Sequence, residues 1–464
     1  MESILRLGRK IIPRKIFEAL QPIYHRKLAF LAAITCGFPS RKLNVVAITG
    51  TKGKSSTVEF VNSILETAGY KTAVLGTIRF KIGEKSQPNL HKMTVPGRFF
   101  VQKFLRNAVN SGCEYAILEM TSEAIKQHRH KFIDLDALIF LNLAPEHIES
   151  HGSYEKYVQA KLALAELLTK SRKKRKLIVV NSDDKEAPRF LSIPIKEKYP
   201  FSIRVAEPFT LSSNESEFYF HEERITLHVP GQFNIYNALA AATFALTQNI
   251  SLQNIREGLE RIHEIPGRVQ KIKVSPDQDF TVIVDYAHTT DSLEKLYQTF
   301  SPLLGDLVSK SKKWRYEAIN KEATHLETKS PSPSPSPLPG KKRLICVLGN
   351  TGGGRDKWKR VEMAKIADTY CDSIILTNED PYDDNPREIV EDMRRGIKTH
   401  TAKIIMDRRD AIRDAIGMAE KGDTVLITGK GTDPYIMGPI GSKIPWSDQK
   451  VVKEELARLF ETRS

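Results

Sequence analysis

The segment TGTKGKSST at 49–57 combines glycines, lysines and hydroxyl side chains in an order suited to binding a nucleoside triphosphate. The glycines allow backbone N–H groups to approach phosphate oxygens, Lys54 supplies a positive charge, and Ser55 offers a hydroxyl ligand to Mg²⁺. The pattern GxxGKS is shorter than the usual phosphate-binding motif, because Ile48 stands where a further glycine is expected. An apolar strand pattern precedes it and a helical pattern follows, which favours nucleotide binding. The predicted nucleotide-binding residues here are Gly50, Thr51, Lys52, Gly53, Lys54, Ser55 and Ser56.

Three more polar residues follow predicted strands or lie on a predicted helix. Glu119 ends the apolar run 115–120, and open α/β sheets bind ligands at the carboxyl ends of their strands. A carboxylate there could hold the Mg²⁺ that neutralises the γ-phosphate. His147 follows another strand pattern, and Lys161 lies on a helical pattern at 154–168. Taken alone, the glutamate also fits a helix cap, and the histidine and lysine also fit solvated structural roles.

Eight blocks of sequence occur in one order along the chain, and together they resemble the Mur ligase family, specifically its MurE branch, the UDP-N-acetylmuramoyl-tripeptide synthetases. The resemblance covers roughly residues 43 to 460, and eight unlike blocks in the same order are more specific than any single motif. It implies a cytoplasmic ATP-dependent acid–amino-acid ligase of peptidoglycan precursor synthesis. The blocks are TGTKGKSST, LEMTSEAIKQHR, the segment from His147 to Lys161, GQFNIYNALAA, IPGR, VDYAHTTDSLEK, GGGRDKWKR and TGKGTDPY.

The resemblance implies catalytic and metal-binding roles for individual residues. Lys54 and Ser55 would hold the ATP phosphates and a Mg²⁺, and Glu119 and His147 would ligate Mg²⁺. Lys161 would be carbamylated, which converts a cation into a carboxylate-like group that orients a second Mg²⁺. A peptide carboxylate would attack the γ-phosphate of ATP, and an amine would then attack the resulting acyl-phosphate. Because water would destroy that intermediate, domain closure should precede the reaction.

The resemblance also assigns the remaining contacts with the substrates. Asn237, Arg268 and Asp285 would contact adenine, phosphate and ribose respectively. Arg355 would take the α-carboxylate of the incoming amino acid. The positions matched to the nucleotide-linked peptide acceptor are Thr94, Ser122 and Arg129.

The predicted amino-acid pocket departs from the members of the branch that add diaminopimelate. Those members carry an Asp-Asn-Pro-Arg motif whose arginine pairs with the distal carboxylate, whereas NEDPYD at 378–383 places Tyr382 at that position. A tyrosine cannot provide the charged, bidentate contact of an arginine. A DNPR sequence does occur at 384–387, but it stands at a predicted helix start and is interpreted as unrelated to the pocket.

The acidic residues of the predicted pocket favour a second ammonium group on the incoming amino acid. We therefore expect L-lysine, ornithine or another diamine rather than diaminopimelate. Without the arginine, the distal carboxylate of diaminopimelate would lose a charged hydrogen bond, which costs about 1.5–3 kcal/mol. The predicted pocket residues are Arg355, Glu379, Asp380, Tyr382, Gly429 and Asp433.

Strand patterns that alternate with helical patterns predict an α/β fold in both main parts of the chain. A helical segment at 1–42 precedes a central ATP-binding domain at 43–266, which has a mainly parallel sheet. A Rossmann-like C-terminal domain follows at 267–464, with a solvated Ser-Pro insertion at about 306–341. Strands are predicted at 43–49, 72–77, 115–120, 136–142, 177–181, 281–287, 343–349, 373–380 and 424–429.

The start of the chain departs from the branch, which normally carries about 90 residues ahead of the phosphate-binding segment as a UDP-binding domain. Here about 43 residues precede it, and they are predicted to be helical. Either this basic segment replaces that domain, or the UDP end of the acceptor is bound differently, or the acceptor lacks UDP.

Composition limits the compartment and the partners. The formal charge is +15, yet no nucleic-acid-binding module or aromatic-interleaved basic repeat occurs, so no nucleic-acid partner is expected. The longest apolar run, 28–38, is about half of what a membrane helix needs, so stable membrane insertion is not expected. The four cysteines lack paired spacing, which favours reduced thiols in the cytoplasm. The sequence leaves the oligomeric state open.

Two other functions fit parts of the sequence. A folylpolyglutamate synthase shares the phosphate-binding segment, the lysine and the reaction, although YAHTTD and NEDPYD suit the MurE branch better. A nucleotide-binding partner subunit without ligase turnover is the other alternative. Lys54, Glu119, His147 and Lys161 together argue against it.

Overall fold

The computed structural model describes residues 14–146, 148–301, 342–355 and 357–463. His147 and the Ser-Pro insertion predicted at 306–341 therefore lie outside the described residues. The chain forms two compact units, each with its own sheet. The first comprises the residues up to Thr210, Glu217–His228 and Phe233–His263, and the second comprises Leu211–Ser216, Val229–Gln232 and the residues from Glu264 onward.

The first unit contains an eight-stranded sheet in the order β4-β3-β2-β5-β1-β6-β7-β8. Parallel pairing joins six consecutive strands of this order, namely β2, β5, β1, β6, β7 and β8. The strands β3 and β4 are added antiparallel at the edge beside β2. The strands are β1 Asn44–Thr49, β2 Thr72–Leu75, β3 Arg79–Ile82, β4 Lys85–Pro88, β5 Tyr115–Glu119, β6 Ala137–Phe140, β7 Leu177–Asn181 and β8 Glu197–Phe201.

The strands at the centre of this sheet are apolar without alternation, because helices cover both faces of a parallel sheet. Val45, Ala47 and Leu118 are fully buried in this core. The helices of the unit are α1 Arg14–Thr35, α2 Lys54–Thr67, α3 Arg98–Asn110, α4 Ser122–Lys126, α5 Ile148–His151, α6 Tyr154–Thr169, α7 Ala187–Leu191, α8 Gln232–Thr247 and α9 Leu252–Glu260.

A smaller three-stranded sheet, in the order β11-β10-β9, follows β8 in the chain. These strands were not predicted from the sequence, and β9, with two residues, is too short to show a period. They are β9 Thr210–Leu211, β10 Ser216–Phe220 and β11 Glu223–Leu227.

The second unit is built on a six-stranded sheet in the order β12-β13-β17-β14-β15-β16. All neighbours are parallel except β12, which pairs antiparallel with β13. A two-stranded antiparallel sheet, β18-β19, accompanies it. The strands are β12 Gln270–Ile272, β13 Thr281–Asp285, β14 Leu344–Leu348, β15 Ser373–Leu376, β16 Ala402–Ile404, β17 Thr424–Thr428, β18 Tyr435–Met437 and β19 Lys443–Pro445.

The core of the second unit contains Val282, Val347 and Ile427, each 0% exposed, from three adjacent strands. The α/β class and the mainly parallel sheet predicted from the sequence are thus confirmed. The helices described in this unit are α10 Thr290–Phe300, α11 Lys359–Tyr370, α12 Pro386–Arg394, α13 Arg408–Gly417 and α14 Asp448–Arg463.

The prediction of four isolated cysteines is wrong, because Cys346 and Cys371 form a disulfide in the second unit. Cys346 lies on β14 and Cys371 directly follows α11, so residues 25 positions apart meet once the helix packs back on the sheet. Spacing in the sequence does not show this proximity. Cys36 and Cys113 are free thiols.

The described part of the N-terminal segment is mainly one helix, α1, which runs through Pro22 to Thr35. Among the described residues, no helix combines the length and the apolar character that crossing a membrane would require.

Candidate active site

The turn between β1 and α2 has the backbone conformation expected of a phosphate-binding loop. Gly53 precedes the first residue of α2, adopts φ +81°, and leaves the helix without a side-chain cap. A Cβ atom at this position would lie 2.1 Å from Oδ1 of Asn237 on α8. Only glycine permits both this conformation and this close approach. The N-terminus of α2 thus presents backbone N–H donors and the positive end of its dipole, which favours an anion.

Two residues that the sequence analysis did not select hold this turn in place. Asn142 follows β6, accepts the Thr51 N–H with its backbone oxygen and accepts the Lys52 N–H with its side-chain oxygen, both at 2.9 Å. Tyr157 on α6 places its hydroxyl 2.9 Å from Oγ1 of Thr51. An asparagine that closely follows a strand end is the signal that could have indicated the first of these contacts.

Two predicted lysines meet at one carbonyl group of the turn. Nζ of Lys54 donates to the Gly50 oxygen at 2.9 Å and to the Thr51 oxygen at 2.8 Å. Nζ of Lys161 donates to the same Gly50 oxygen at 2.9 Å. Lys161 is only 1% exposed. Burial, followed by the charge of Lys54, holds the pKa of Lys161 well below its usual value.

The carboxylate of Glu119 stands beside the first turn of α2. Oγ of Ser55 donates to Glu119 Oε1 at 3.1 Å. Thr77, which follows β2, donates its N–H to Oε2 at 2.7 Å and its hydroxyl to Oε1 at 2.9 Å. The hydroxyl of Thr77 also lies 2.7 Å from that of Thr94. The structure therefore joins the predicted residues Ser55, Glu119 and Thr94 through Thr77, which the sequence analysis missed.

These residues fit Mg²⁺ and a modified lysine. A serine hydroxyl 3.1 Å from a buried carboxylate offers the oxygen ligands that Mg²⁺ prefers. A buried lysine with a lowered pKa is neutral more readily, and a neutral amine is the form that reacts with CO₂. No cluster of three or more histidine, cysteine, aspartate or glutamate side chains suited to a metal ion occurs in the described part of the chain.

The other two predicted acceptor residues lie next to this region. Ser122 is the first residue of α4 and is 3% exposed. Arg129 lies in the segment after α4 and donates to the carbonyl group of Val95, the residue that follows Thr94. Arg129 is therefore linked through Val95 to the segment that contains Thr94, whereas Ser122 lies at the start of α4.

In the second unit, an unpredicted lysine neutralises part of the predicted acidic pocket. Lys430 is 0% exposed, and its Nζ lies 2.8 Å from Asp380 Oδ1 and 3.0 Å from Asp433 Oδ2. Burial alone would lower the pKa of Lys430, but Asp433 and Asp380 raise it above the usual value. Lys430 belongs to the TGKGTDPY block. Its positive charge, three positions before Asp433, is the feature of the sequence that could have indicated this ion pair.

Glu379 is the third acidic residue of this cluster. Its Oε1 accepts the hydroxyl of Thr351 at 3.0 Å, and burial, followed by the charge of Asp380, raises its pKa. A Cβ atom at Gly429 would lie 2.4 Å from Glu379 Oε2, so glycine is required at that point. Predicted residues that follow β15 and β17 therefore do converge.

Tyr382 and Arg355, two of the predicted pocket residues, lie close to each other. Tyr382 has φ +52°, an uncommon conformation for an aromatic residue, and the guanidinium of Arg355 lies 5.7 Å from its ring centroid. Two glycines permit this contact: a Cβ at Gly352 would lie 2.2 Å from the Pro381 oxygen, and one at Gly353 would lie 2.9 Å from Cγ of Tyr382.

The DNPR sequence stands at the start of a helix, as predicted. Asn385 caps α12 by accepting the Arg387 N–H at 3.0 Å. The Arg387 side chain is 60% exposed and lies 3.4 Å from Glu391 on the same helix.

Arg268 and Asp285, predicted to contact ATP, lie together in the second unit. The Arg268 guanidinium lies 4.4 Å from the ring centroid of Tyr286. The Asp285 carboxylate accepts the N–H groups of Val269 and Ala287 at 2.7 and 2.6 Å. Asn237 lies in the first unit, beside Gly53.

Comparison with known proteins finds two family profiles and many relatives. The profile "Mur ligase middle domain" matches residues 48–245, and the profile "Mur ligase, glutamate ligase domain" matches residues 335–431. The UDP-N-acetylmuramoyl-L-alanyl-D-glutamate--2,6-diaminopimelate ligase of Syntrophomonas wolfei is 34% identical in an alignment that covers 93% of this chain and 81% of the relative. The enzyme of the same name from Geobacillus kaustophilus is 32% identical, over 97% of this chain and 87% of the relative.

A solved structure of a UDP-N-acetylmuramoyl-L-alanyl-D-glutamate--2,6-diaminopimelate ligase is 25% identical to this chain and superposes with a TM-score of 0.55. The match covers 90% of this chain and 79% of that one. The family consists of ATP-dependent amide ligases that use Mg²⁺ in peptidoglycan precursor synthesis. The phosphate-binding turn, the Glu119 carboxylate and these matches together show that the chain belongs to the Mur ligase family, in its MurE branch of UDP-N-acetylmuramoyl-tripeptide synthetases.

Proposed function

We propose that the protein adds L-lysine or another diamino acid to UDP-MurNAc-L-Ala-D-Glu in the cytoplasm, through an acyl-phosphate. The observation that carries this proposal is the convergence of Lys54, Ser55, Glu119 and Lys161 around the β1–α2 turn. The names of the relatives support the acceptor. We propose the predicted domain boundaries, 43–266 and 267–464, as the ATP-binding and amino-acid-binding parts.

In the first step, the acceptor carboxylate attacks the γ-phosphate of ATP, and ADP leaves. Lys54 supplies a positive charge where negative charge spreads in the transition state, and the N–H groups at the start of α2 orient the phosphates. Bound at Ser55 and Glu119, Mg²⁺ would supply further charge neutralisation. His147 remains a proposed ligand of this ion.

Lys161 would take part as a carbamate. Its neutral amine forms an N–C bond with CO₂ and releases a proton, which turns a buried amine into an anionic oxygen donor. Its low pKa, its burial and its position at the Gly50 carbonyl support this role. Without the modification, a protonated Lys161 would place a second positive charge beside that of Lys54 at one carbonyl group, which favours the neutral amine.

In the second step, the amine of the incoming amino acid attacks the acyl-phosphate, and phosphate leaves. We propose that Arg355 binds the α-carboxylate of this amino acid and that Glu379 faces its distal ammonium. Lys430 already forms ion pairs with Asp380 and Asp433, so Glu379 is the carboxylate that the ammonium group of the amino acid would bind.

The relatives are named as diaminopimelate ligases, but Tyr382 supports a different amino acid. The Tyr382 hydroxyl carries no charge to pair with a second carboxylate, and Arg387 lies on the surface of α12. The proposal therefore places lysine or ornithine ahead of diaminopimelate.

The test is an ATP-dependent ligation assay that crosses two acceptors with four amino acids. We expect phosphate release and product with UDP-MurNAc-L-Ala-D-Glu plus lysine or ornithine, and neither with tetrahydrofolate plus glutamate. A preference for diaminopimelate would overturn the pocket assignment but leave the acceptor assignment intact. Turnover with tetrahydrofolate alone would overturn the acceptor. Arg387→Ala is the matched control and should change the KM of the amino acid by less than about twofold, as exposed ion pairs contribute little.

A further inference from the structure

Basic side chains from three separate elements converge beside the start of α3. His25 comes from α1, Arg98 is the first residue of α3, and His128 and Arg129 lie in the segment after α4. We call these four residues the basic cluster. His25 is 6% exposed, so α1 buries it rather than presenting it to solvent.

One residue joins the two arginines of the basic cluster. Gln127 accepts from Arg98 Nη2 with its backbone oxygen, and it accepts from Arg129 Nη2 with its side-chain oxygen at 2.6 Å. Both guanidinium groups are therefore fixed on one short backbone segment. A pair of fixed guanidiniums has the geometry that binds phosphate oxygens in bidentate fashion.

The positive charges of the basic cluster lower the pKa values of its own members. Burial, then Arg98, His128 and Arg129, lowers the pKa of His25 to about 4. Burial and the charge of Arg129 lower the pKa of Arg98 to about 10. Three nitrogens also lack a hydrogen-bond partner among the residues that the structure describes. They are Nδ1 of His25, Nε of Arg98 and Nδ1 of His128.

The start of α3 adds to this field. Gly97 precedes the helix in an extended conformation and provides no side-chain cap, so the positive end of the helix dipole lies at Arg98, the first residue of the helix. Buried nitrogens without partners and a helix dipole together indicate an anionic ligand with several oxygen atoms.

A continuous strip of contacts leads from the basic cluster to the site of phosphoryl transfer. Arg129 donates to the Val95 carbonyl group, Thr94 precedes Val95, and the hydroxyl of Thr94 lies 2.7 Å from that of Thr77. Thr77 in turn donates to Glu119. An acceptor whose carboxylate reacts near Glu119 therefore has a path along this strip to the basic cluster.

We propose that the basic cluster binds the diphosphate group of the nucleotide-linked acceptor. The inference rests on the proposed function for the identity of that acceptor. A diphosphate supplies more charge and more oxygen acceptors than one carboxylate, and it matches two guanidiniums and two imidazoles better. Arg98 and His25 are thereby assigned as binding residues, and α1 becomes part of the acceptor site.

The test measures UDP binding by calorimetry, with a non-hydrolysable ATP analogue and Mg²⁺ present to occupy the β1–α2 turn. We expect Arg98→Ala and His25→Ala to raise the Kd of UDP by about tenfold or more, and Arg98→Lys to restore part of the loss. Arg106→Ala is the matched control. Arg106 lies on the same helix, donates to the Thr35 carbonyl group at 3.1 Å and should change the Kd by less than twofold.

Competition identifies the part of the ligand that is bound. Inorganic diphosphate should displace UDP, and uridine should not. Circular dichroism of each variant confirms that it is folded. Equal UDP affinity in the parent and Arg98→Ala, displacement by uridine alone, or no UDP binding by the parent would each overturn the assignment.

This binding measurement requires no turnover, so it separates the two proposals. Loss of UDP binding in Arg98→Ala, together with no ligation of any acceptor by the parent, would support the diphosphate site and refute the proposed function. Ligation by the parent together with unchanged UDP binding in Arg98→Ala would support the function and refute the site.

Discussion

At the scale of the residue, Lys161 is the most informative position, because its burial conflicts with its charge. The unfolded chain binds a proton at this lysine up to its ordinary pKa of 10.5, whereas the folded chain releases it at lower pH. The folded state is therefore penalised at neutral pH, and this penalty disappears as the pH rises towards 10.5. Such a cost is expected where activity requires a strained site.

We therefore predict that Lys161→Met raises the free energy of unfolding at pH 7 and lowers turnover by about 10²–10³-fold, as loss of a transition-state contact does. The stability gain should shrink as the pH increases. Denaturant titrations in CO₂-free buffer from pH 7 to 10 measure it. Lys156→Met, an exposed change on the same helix, should do neither.

Chemical rescue distinguishes the carbamate from a simple structural role of Lys161. A small cavity remains in Lys161→Ala, and acetate or formate can place a carboxylate there. Turnover of this variant should rise when either anion is added. Parent-like turnover of Lys161→Ala without any added carboxylate would refute the carbamate.

The sequence identified the chemically active residues better than their supports. Lys54, Ser55 and Glu119 belong to patterns whose chemistry is local to a strand end, so their proximity could be predicted. Thr77 could not be found this way, because a threonine after a short strand is common and its bonds to Glu119 depend on tertiary packing.

At the scale of the element, the β1–α2 turn is constrained by both conformation and space. Gly53→Ala would introduce a Cβ at φ +81° and 2.1 Å from Asn237 Oδ1. We expect the free energy of unfolding to fall by about 1–3 kcal/mol and the Kd of ATP to rise more than tenfold.

Gly69 provides the matched control, since it has φ +88° and no atom lies within 4 Å of the methyl group that an alanine would add there. Gly69→Ala should cost about 1 kcal/mol from backbone strain alone and leave ATP binding unchanged. Equal ATP affinities for both variants would contradict the role of the Gly53–Asn237 contact.

In the second unit, a buried ion pair fixes α14 to α13. Arg408 donates to both carboxylate oxygens of Asp448, at 2.8 and 2.7 Å, and also to the Thr428 carbonyl group at the end of β17. The two side chains are 1% and 0% exposed.

Arg408→Ala would leave the Asp448 carboxylate buried without its main partner, so we predict a loss of about 3–5 kcal/mol in the free energy of unfolding. Arg413→Ala on the same helix removes a half-exposed arginine. Its buried partner Glu455 keeps Arg409 and Arg458, so the change should cost less than about 1 kcal/mol. Denaturant titration compares them, and similar losses would refute the importance of burial.

The elements that the sequence predicted are those whose hydrophobic period is long enough to recognise. All nine predicted strands occur, although the run at 373–380 contributes only Ser373–Leu376 as strand. Short or exposed strands such as β4, with four exposed residues, carry no apolar pattern and escaped prediction. The disulfide was not predicted for a different reason: the distance between Cys346 and Cys371 depends on how α11 packs on the sheet.

At the scale of the whole molecule, the two units have separate hydrophobic cores, which is what the return of strand patterns after residue 266 indicated. Separate cores imply that a ligand bound by one unit stabilises that unit by mass action. At a concentration of 100 times Kd, the stabilisation is about 2.7 kcal/mol.

We therefore predict that scanning calorimetry resolves two transitions and that MgATP raises one of them by about 5–10 °C. Arg408→Ala should lower the other transition, which assigns it to the second unit. Lys54→Ala should remove the shift caused by MgATP because it removes the charge at the β1–α2 turn. A single transition in the parent would contradict the independence of the two units. An undiminished shift in Lys54→Ala would contradict the assignment of the ATP site, since the ATP phosphates would then be stabilising something other than the unit that contains Gly53 and Lys54.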